Sequence, residues 1–97
     1  MPTYITLWDY TQHGIENIED SPERLDSAIE LIDSVGGELQ AFYLTMGAHD
    51  IVTVAEFPDD DAAAKALLRI GQSGAVSSET MKAWPEDDYR DLLANLP

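Results

Sequence analysis

The chain contains no cysteine. That absence removes a disulfide scaffold, a thiolate metal site and a cysteine nucleophile together. Positive charge is nearly as scarce: five Lys and Arg stand against nineteen Asp and Glu, a formal net charge of −14. Nucleic-acid binding needs clustered cations, and an anionic membrane repels such a surface, so neither partner is expected. No apolar run approaches the roughly 20 residues that cross a bilayer. The opening MPTYITLWDY has neither the basic nor the long apolar region of a secretion signal, so a cytoplasmic location is the expectation. Also missing are a Gly-rich phosphate loop with its Lys, a Gly-x-Ser-x-Gly elbow and a His-Glu-x-x-His pair.

What is present fits one domain spanning residues 1–97. A hydrophobic share of 44% argues against disorder. A core of this size leaves a modest stability margin, which an oligomeric interface would widen. The acidity reads either as a generic soluble surface or as adaptation to a salt-rich cytosol. At 1 M salt the screening length falls to about 3 Å and self-repulsion largely vanishes. With only two lysines and more Asp than Glu, the halophilic reading is preferred.

Six main elements are legible. Tyr4 to Thr11 alternates and is rich in β-branched and aromatic residues, which predicts a strand. Gln12 to Asp20 is a connection with one helical turn around Ile15 and Ile18. Ser21-Pro22-Glu23 predicts a helix start, with Ser as the cap and Pro at the first position. Leu25, Ala28, Ile29, Ile32 and Val35 then recur at helical spacing, and Gly36-Gly37 closes the helix. Glu38–Thr45 and His49–Phe57 read as strands joined by a short hairpin at Met46-Gly47-Ala48. Asp59 caps a second helix, whose apolar stripe is Ala63, Ala66, Leu67 and Ile70. Ala75 to Trp84 reads as a fourth strand. Pro85 to Leu96 reads as a short acidic helix docked through Tyr89, Leu92, Leu93 and Leu96.

Strand, helix, strand, strand, helix, strand predicts an α+β, ferredoxin-like βαββαβ fold. Its four-stranded antiparallel sheet carries both helices on one face. The other face is left open. Tyr4, Thr6, Trp8 and Tyr10 are expected there, as an aromatic patch covered by sheet-to-sheet homodimerisation.

The segments MPTYITL, IEDSPERL, GGELQAFYLTMGAHDIVTVAEFPDD and SSETMKAWPEDDYRDLLANLP together resemble GYD-domain proteins along nearly the whole chain. These are small, largely uncharacterised proteins. The resemblance implies the dimeric α/β-barrel type of ferredoxin-like fold. The Gly-x-Tyr-Asp that names the family falls on Gly47-Ala48-His49-Asp50. Histidine stands where the family has tyrosine, so no role resting on a phenol transfers.

Candidate catalytic residues are His49, Asp50 and His13. Histidine titrates near neutrality and a carboxylate can orient it. Adjacent strand residues point to opposite faces, however. The preferred reading is therefore a turn in which Asp50 bonds backbone amides and His49 lies exposed or at a dimer seam. His13 with His49 and a carboxylate could make a two-His metal site, but no spacing calls for it, and no metal or cofactor is expected. Trp8, Tyr10, Tyr43 and Met46 are candidates for lining a pocket for a flat apolar ligand, with Tyr4 and Phe42 in the same aromatic set. Core packing accounts for these side chains as well. Asp59-Asp60-Asp61 lacks the spacing of a calcium loop, and a helix start explains it. The function expected is a small dimeric module binding a ligand or a protein partner. The alternative is a cofactor-independent, oxygenase- or isomerase-like enzyme with a histidine general base.

Overall fold

Alternation along the first strand sets the layering. In the computed structural model, which describes residues 1–97, β1 (Thr3–Tyr10) lies inside a four-stranded sheet. It pairs antiparallel with β3 (Ile51–Glu56) on one side and β4 (Val76–Ala83) on the other. β2 (Glu38–Leu44) pairs antiparallel with β3, which gives the order β2-β3-β1-β4. α2 (Ser21–Ser34) carries the chain from β1 to β2, and α3 (Asp60–Gly71) from β3 to β4. This is the expected ferredoxin-like α+β arrangement.

The assignment of sheet faces is reversed from expectation. Tyr4, Thr6 and Trp8 are buried beneath the helices, not on the open face. Tyr4, Ala55 and Phe57 form the core with Ile32 of α2 and Ala63 and Ala66 of α3. The Tyr4 and Phe57 rings meet edge to face, 5.5 Å between centroids. Alternation separates two faces but does not say which one the helices cover. The polar tips of these side chains are satisfied there: Trp8 Nε1 donates to Thr53 Oγ1 at 2.9 Å, and the Thr6 and Thr80 hydroxyls lie 2.9 Å apart. The open face instead presents Ile5 and Leu7 of β1, opposite Val54 and Val52 of β3 and, on β4, Met81 beside Ile5. Tyr43 lies opposite Val52 on the same face.

β2 breaks phase once. Leu39 sits opposite Ala55, and the next pairing is Ala41 with Val54, so Gln40 is an extra residue in a β-bulge. Because of it, Leu39 and Phe42, three residues apart, both face the helices.

Local signals decide the helix ends. Asp59 Oδ1 accepts from Ala62 N at 2.8 Å and caps α3 as read. Gly36, with φ +82°, ends α2 in the left-handed region. Ser21 is not the cap: the helix starts at Ser21 itself, with Asp20 at the cap position making no side-chain bond. The reason is the 3₁₀ turn Ile18–Asp20, which runs directly into α2. Before it, the short α1 (Gln12–Glu16) is capped by Thr11, whose Oγ1 accepts from Gly14 N at 3.1 Å. A Cβ at Gly14 would collide with the Ala75 carbonyl oxygen, so glycine lets α1 lie flat against the start of β4. The connection between β2 and β3 is longer than the three-residue hairpin expected. Thr45 N donates to Asp50 O at 2.8 Å and closes a loop over residues 46–49.

The last helix, α4 (Glu86–Ala94), was expected to dock on its own chain. It does not. Tyr89, Leu92, Leu93 and Leu96 are each at least half exposed.

Candidate functional site

The helix-covered layer is closed at one end of the sheet and hollow at the other. Where Tyr4, Ala55 and Phe57 meet Ile32, Ala63 and Ala66, the layer is packed. Toward the end of β1 the same layer opens into a cleft of about 710 Å³. Trp8 and Tyr10 of β1, Phe42 of β2 and Ile51 and Thr53 of β3 supply the sheet wall. Leu25, Ala28 and Ile29 of α2 and Ile70 of α3 supply the helix wall. The volume is in the range of small-molecule sites, and the walls are mainly apolar with a few polar groups. Tyr10 OH and Ser21 Oγ approach to 3.3 Å at the first turn of α2.

Two of the chain's five cations, Arg24 and Arg69, reach this cavity. The exposed Asp20 and Glu23 border it too. Arg24 is half-buried and donates to backbone carbonyls, Asn17 O at 3.0 Å and Gly14 O at 3.5 Å. Arg69 donates to Gln72 Oε1 at 2.8 Å. Both belong to one end of the layer because the helices run antiparallel: Arg24 is in the first turn of α2 and Arg69 in the last of α3.

Of the side chains singled out from sequence as ligand-binding, Trp8 and Tyr10 line the cavity and Tyr43 and Met46 do not. Tyr43 points to the opposite sheet face, and Met46 is wholly exposed in the loop. His49, Asp50 and His13 are all absent from its walls. The His49 ring does meet a carboxylate, but that of Asp9, with Nδ1 and Oδ2 3.2 Å apart. Asp9 alternates with Trp8 and Tyr10 and so lies on the open side of β1. Asp50 is otherwise engaged: its Oδ2 accepts from Tyr10 N at 2.9 Å, and its own N–H donates to Trp8 O at 3.0 Å. It clasps the loop to the end of β1, as the turn reading expects. His13 is exposed on α1, with Asn17 Nδ2 3.4 Å from its Nδ1. No three His, Asp or Glu side chains come together as a metal-binding group.

Arg24 and Arg69 escaped the sequence reading. A usable signal was present: Arg24 shares a helical stripe with Ala28 and Leu31, so a cation interrupts the inward face of an otherwise acidic helix.

A second structure-level feature is unpartnered apolar surface. The open face carries Ile5, Leu7, Val52, Val54, Met81 and Tyr43. β4 leads from that sheet into Trp84 (55% exposed) and the uncovered α4.

Comparison with known proteins agrees with this architecture. A family model described as the GYD domain matches residues 4–93. The "Glutamine synthetase and cystathionine beta-lyase binding protein" of Thermus thermophilus is 35% identical over 97 residues, covering 99% of each chain. A feast or famine regulatory protein from M. tuberculosis, solved with L-methionine, superposes with a TM-score of 0.66 at 15% identity. That likeness covers 88% of this chain and 51% of the other, so the chain spans about half of that protein. A structure from Arabidopsis thaliana gives a TM-score of 0.62 at 12% identity, over 88% of this chain and 95% of its own. At these identities the two structures speak for the fold alone.

Proposed function

The chain belongs to the GYD-domain family, and from that premise we propose that it is a binding module acting as a homodimer that engages a partner protein. The observation that carries this reading is the uncovered apolar surface formed by the open sheet face and α4. Monomers seldom leave contiguous apolar patches of this kind exposed. A second copy is the natural occupant of the sheet face, because a two-fold axis sets the same patch against itself. In the dimer each α4 lies across the partner's sheet. The binding role of the Thermus relative, which aligns end to end with this chain, supports a protein partner of the glutamine synthetase or cystathionine β-lyase type. The acidic surface suits a salt-rich cytoplasm, and nucleic acid and membranes are not partners in this reading.

The test has two parts. Analytical ultracentrifugation in 2 M KCl is expected to show a dimer, and Ile5→Glu with Val54→Glu to raise its dissociation constant at least about a hundredfold. A wild-type monomer, or a dimer indifferent to both charges, overturns the dimer. Purified glutamine synthetase and cystathionine β-lyase from the same cells are then run with the protein on a sizing column. Co-elution with either supports the partner, and separate elution of both overturns it.

A second reading rests on the Asp9–His49 contact: a cofactor-independent oxygenase- or isomerase-like enzyme with His49 as general base, oriented by Asp9. The binding reading is preferred because the histidine does not line the cavity.

A further inference from the structure

We propose that the cavity between α2, α3 and the sheet is a binding site for a small apolar monocarboxylate, preferably one bearing an aromatic ring. This goes beyond the partner-binding reading and fails separately from it, because none of the residues altered there lines the cavity.

The charge pattern carries the argument. The molecule has fourteen more negative than positive formal charges. An arginine here has carboxylates in abundance to pair with. Arg90 meets Glu86 and Lys82 meets Asp60, yet Arg24 and Arg69 have no carboxylate within ion-pair distance. Both are at the wall of the apolar cavity. A guanidinium offers five N–H donors. Contacts with two backbone carbonyls at Arg24 and one amide oxygen at Arg69 leave several donors on each free. Hydrogen bonds from Arg24 to Asn17 O and Gly14 O also hold its side chain in place before any ligand arrives. A carboxylate is the planar acceptor that such a fork matches.

The rest of the site narrows the ligand. Trp8, Tyr10 and Phe42 form an aromatic wall, and Ala28 leaves space opposite it. Flat rings fit such a wall at low cost in ordering. Asp20 and Glu23 border the same cavity, so its formal charges already balance without a ligand. A single carboxylate that pairs with the arginine donors adds the least negative charge to it. A phosphate or a dicarboxylate would meet repulsion from both acids.

The experiment compares 4-phenylbutyrate with 4-phenylbutanol, which share a skeleton and differ in the charged group. Binding to the full chain in 2 M KCl is followed by calorimetry and by Trp8 fluorescence in a Trp84→Phe background. The acid is expected to bind about tenfold more tightly than the alcohol. Arg24→Gln with Arg69→Gln should abolish that preference while leaving alcohol binding within about twofold. Ala28→Trp, which puts a bulky ring on the cavity wall, should weaken both, as read by calorimetry. Should loss of Arg24 unfold the α1–α2 junction, Arg69→Gln alone carries the test, since its one side-chain hydrogen bond is to exposed Gln72. The proposal is overturned if neither compound binds at millimolar concentration, if both bind equally, or if the acid preference survives without the arginines.

Discussion

Tyr4 reaches from the buried face of β1 to the first turn of α3, where its hydroxyl donates to Asp60 Oδ1. Lys82 Nζ of β4 meets the same oxygen at 3.1 Å, so one carboxylate ties two strands and a helix together. Burial, then the bond to Asp60, pushes the Tyr4 phenol up to about 12. The same bond, followed by Lys82, holds Asp60 below its usual value of 3.8. The signs run opposite ways. The tyrosine's contribution to stability is complete below pH 10 and is lost as pH rises through about 12. The aspartate's is complete above its ordinary value near 3.8 and is lost as pH falls below it. Tyr4→Phe is expected to cost about 1 kcal/mol in urea unfolding at pH 7. The same variant should lose less stability than wild type between pH 10 and 12. Equal alkaline losses in the two proteins would dissociate the phenol from the effect. Little of this was legible from sequence: an aromatic face could be read on β1, but the partners of the Tyr4 and Thr6 hydroxyls lie 56 and 74 positions away.

Periodicity and punctuation made α2, α3 and the four strands readable, because these elements take their shape from signals a few residues long. The choice of covered face could not be read that way, since it depends on which side the crossovers pass. Nor could the cavity, which needs Trp8, Phe42 and Arg24 placed by three different elements. α4 is a further case. It is nine residues long, below the roughly 12–15 at which an isolated helix holds in water. Its internal support is the Arg90–Glu86 pair at 2.8 Å and the bond from Tyr89 N to Pro85 O. Its order therefore depends on whatever covers Leu92 and Leu93. If the proposed homodimer covers α4, hydrogen exchange is expected to find amides 89–94 at least about tenfold better protected in the wild-type protein than in the Ile5→Glu, Val54→Glu variant. Equal exchange in both would leave α4 free of the second copy.

The molecule as a whole is extended and negative. Its Cα radius of gyration is 14.6 Å, against about 13 Å for a compact chain of this length, and it measures 51 Å along its longest axis. None of the nineteen acidic residues is buried, and all but Asp9, Asp50 and Glu56 are exposed. Repulsion among them is unrelieved at low salt, where the screening length grows past 8 Å. Raising KCl from 0.1 to 2 M is expected to raise the thermal midpoint by about 5–10 °C. A midpoint unchanged across that range would remove the halophilic reading and leave the charge as a matter of solubility. One residue of the ninety-seven is surplus to the sheet's pairing. Gln40 separates Leu39 from Ala41 without taking a rung of the ladder. The chain can lose it and still set Leu39, Ala41, Phe42 and Tyr43 against the same partners. β2 thus carries one residue of slack, and a deletion at Gln40 would flatten the strand where a deletion in β1 would turn it inside out.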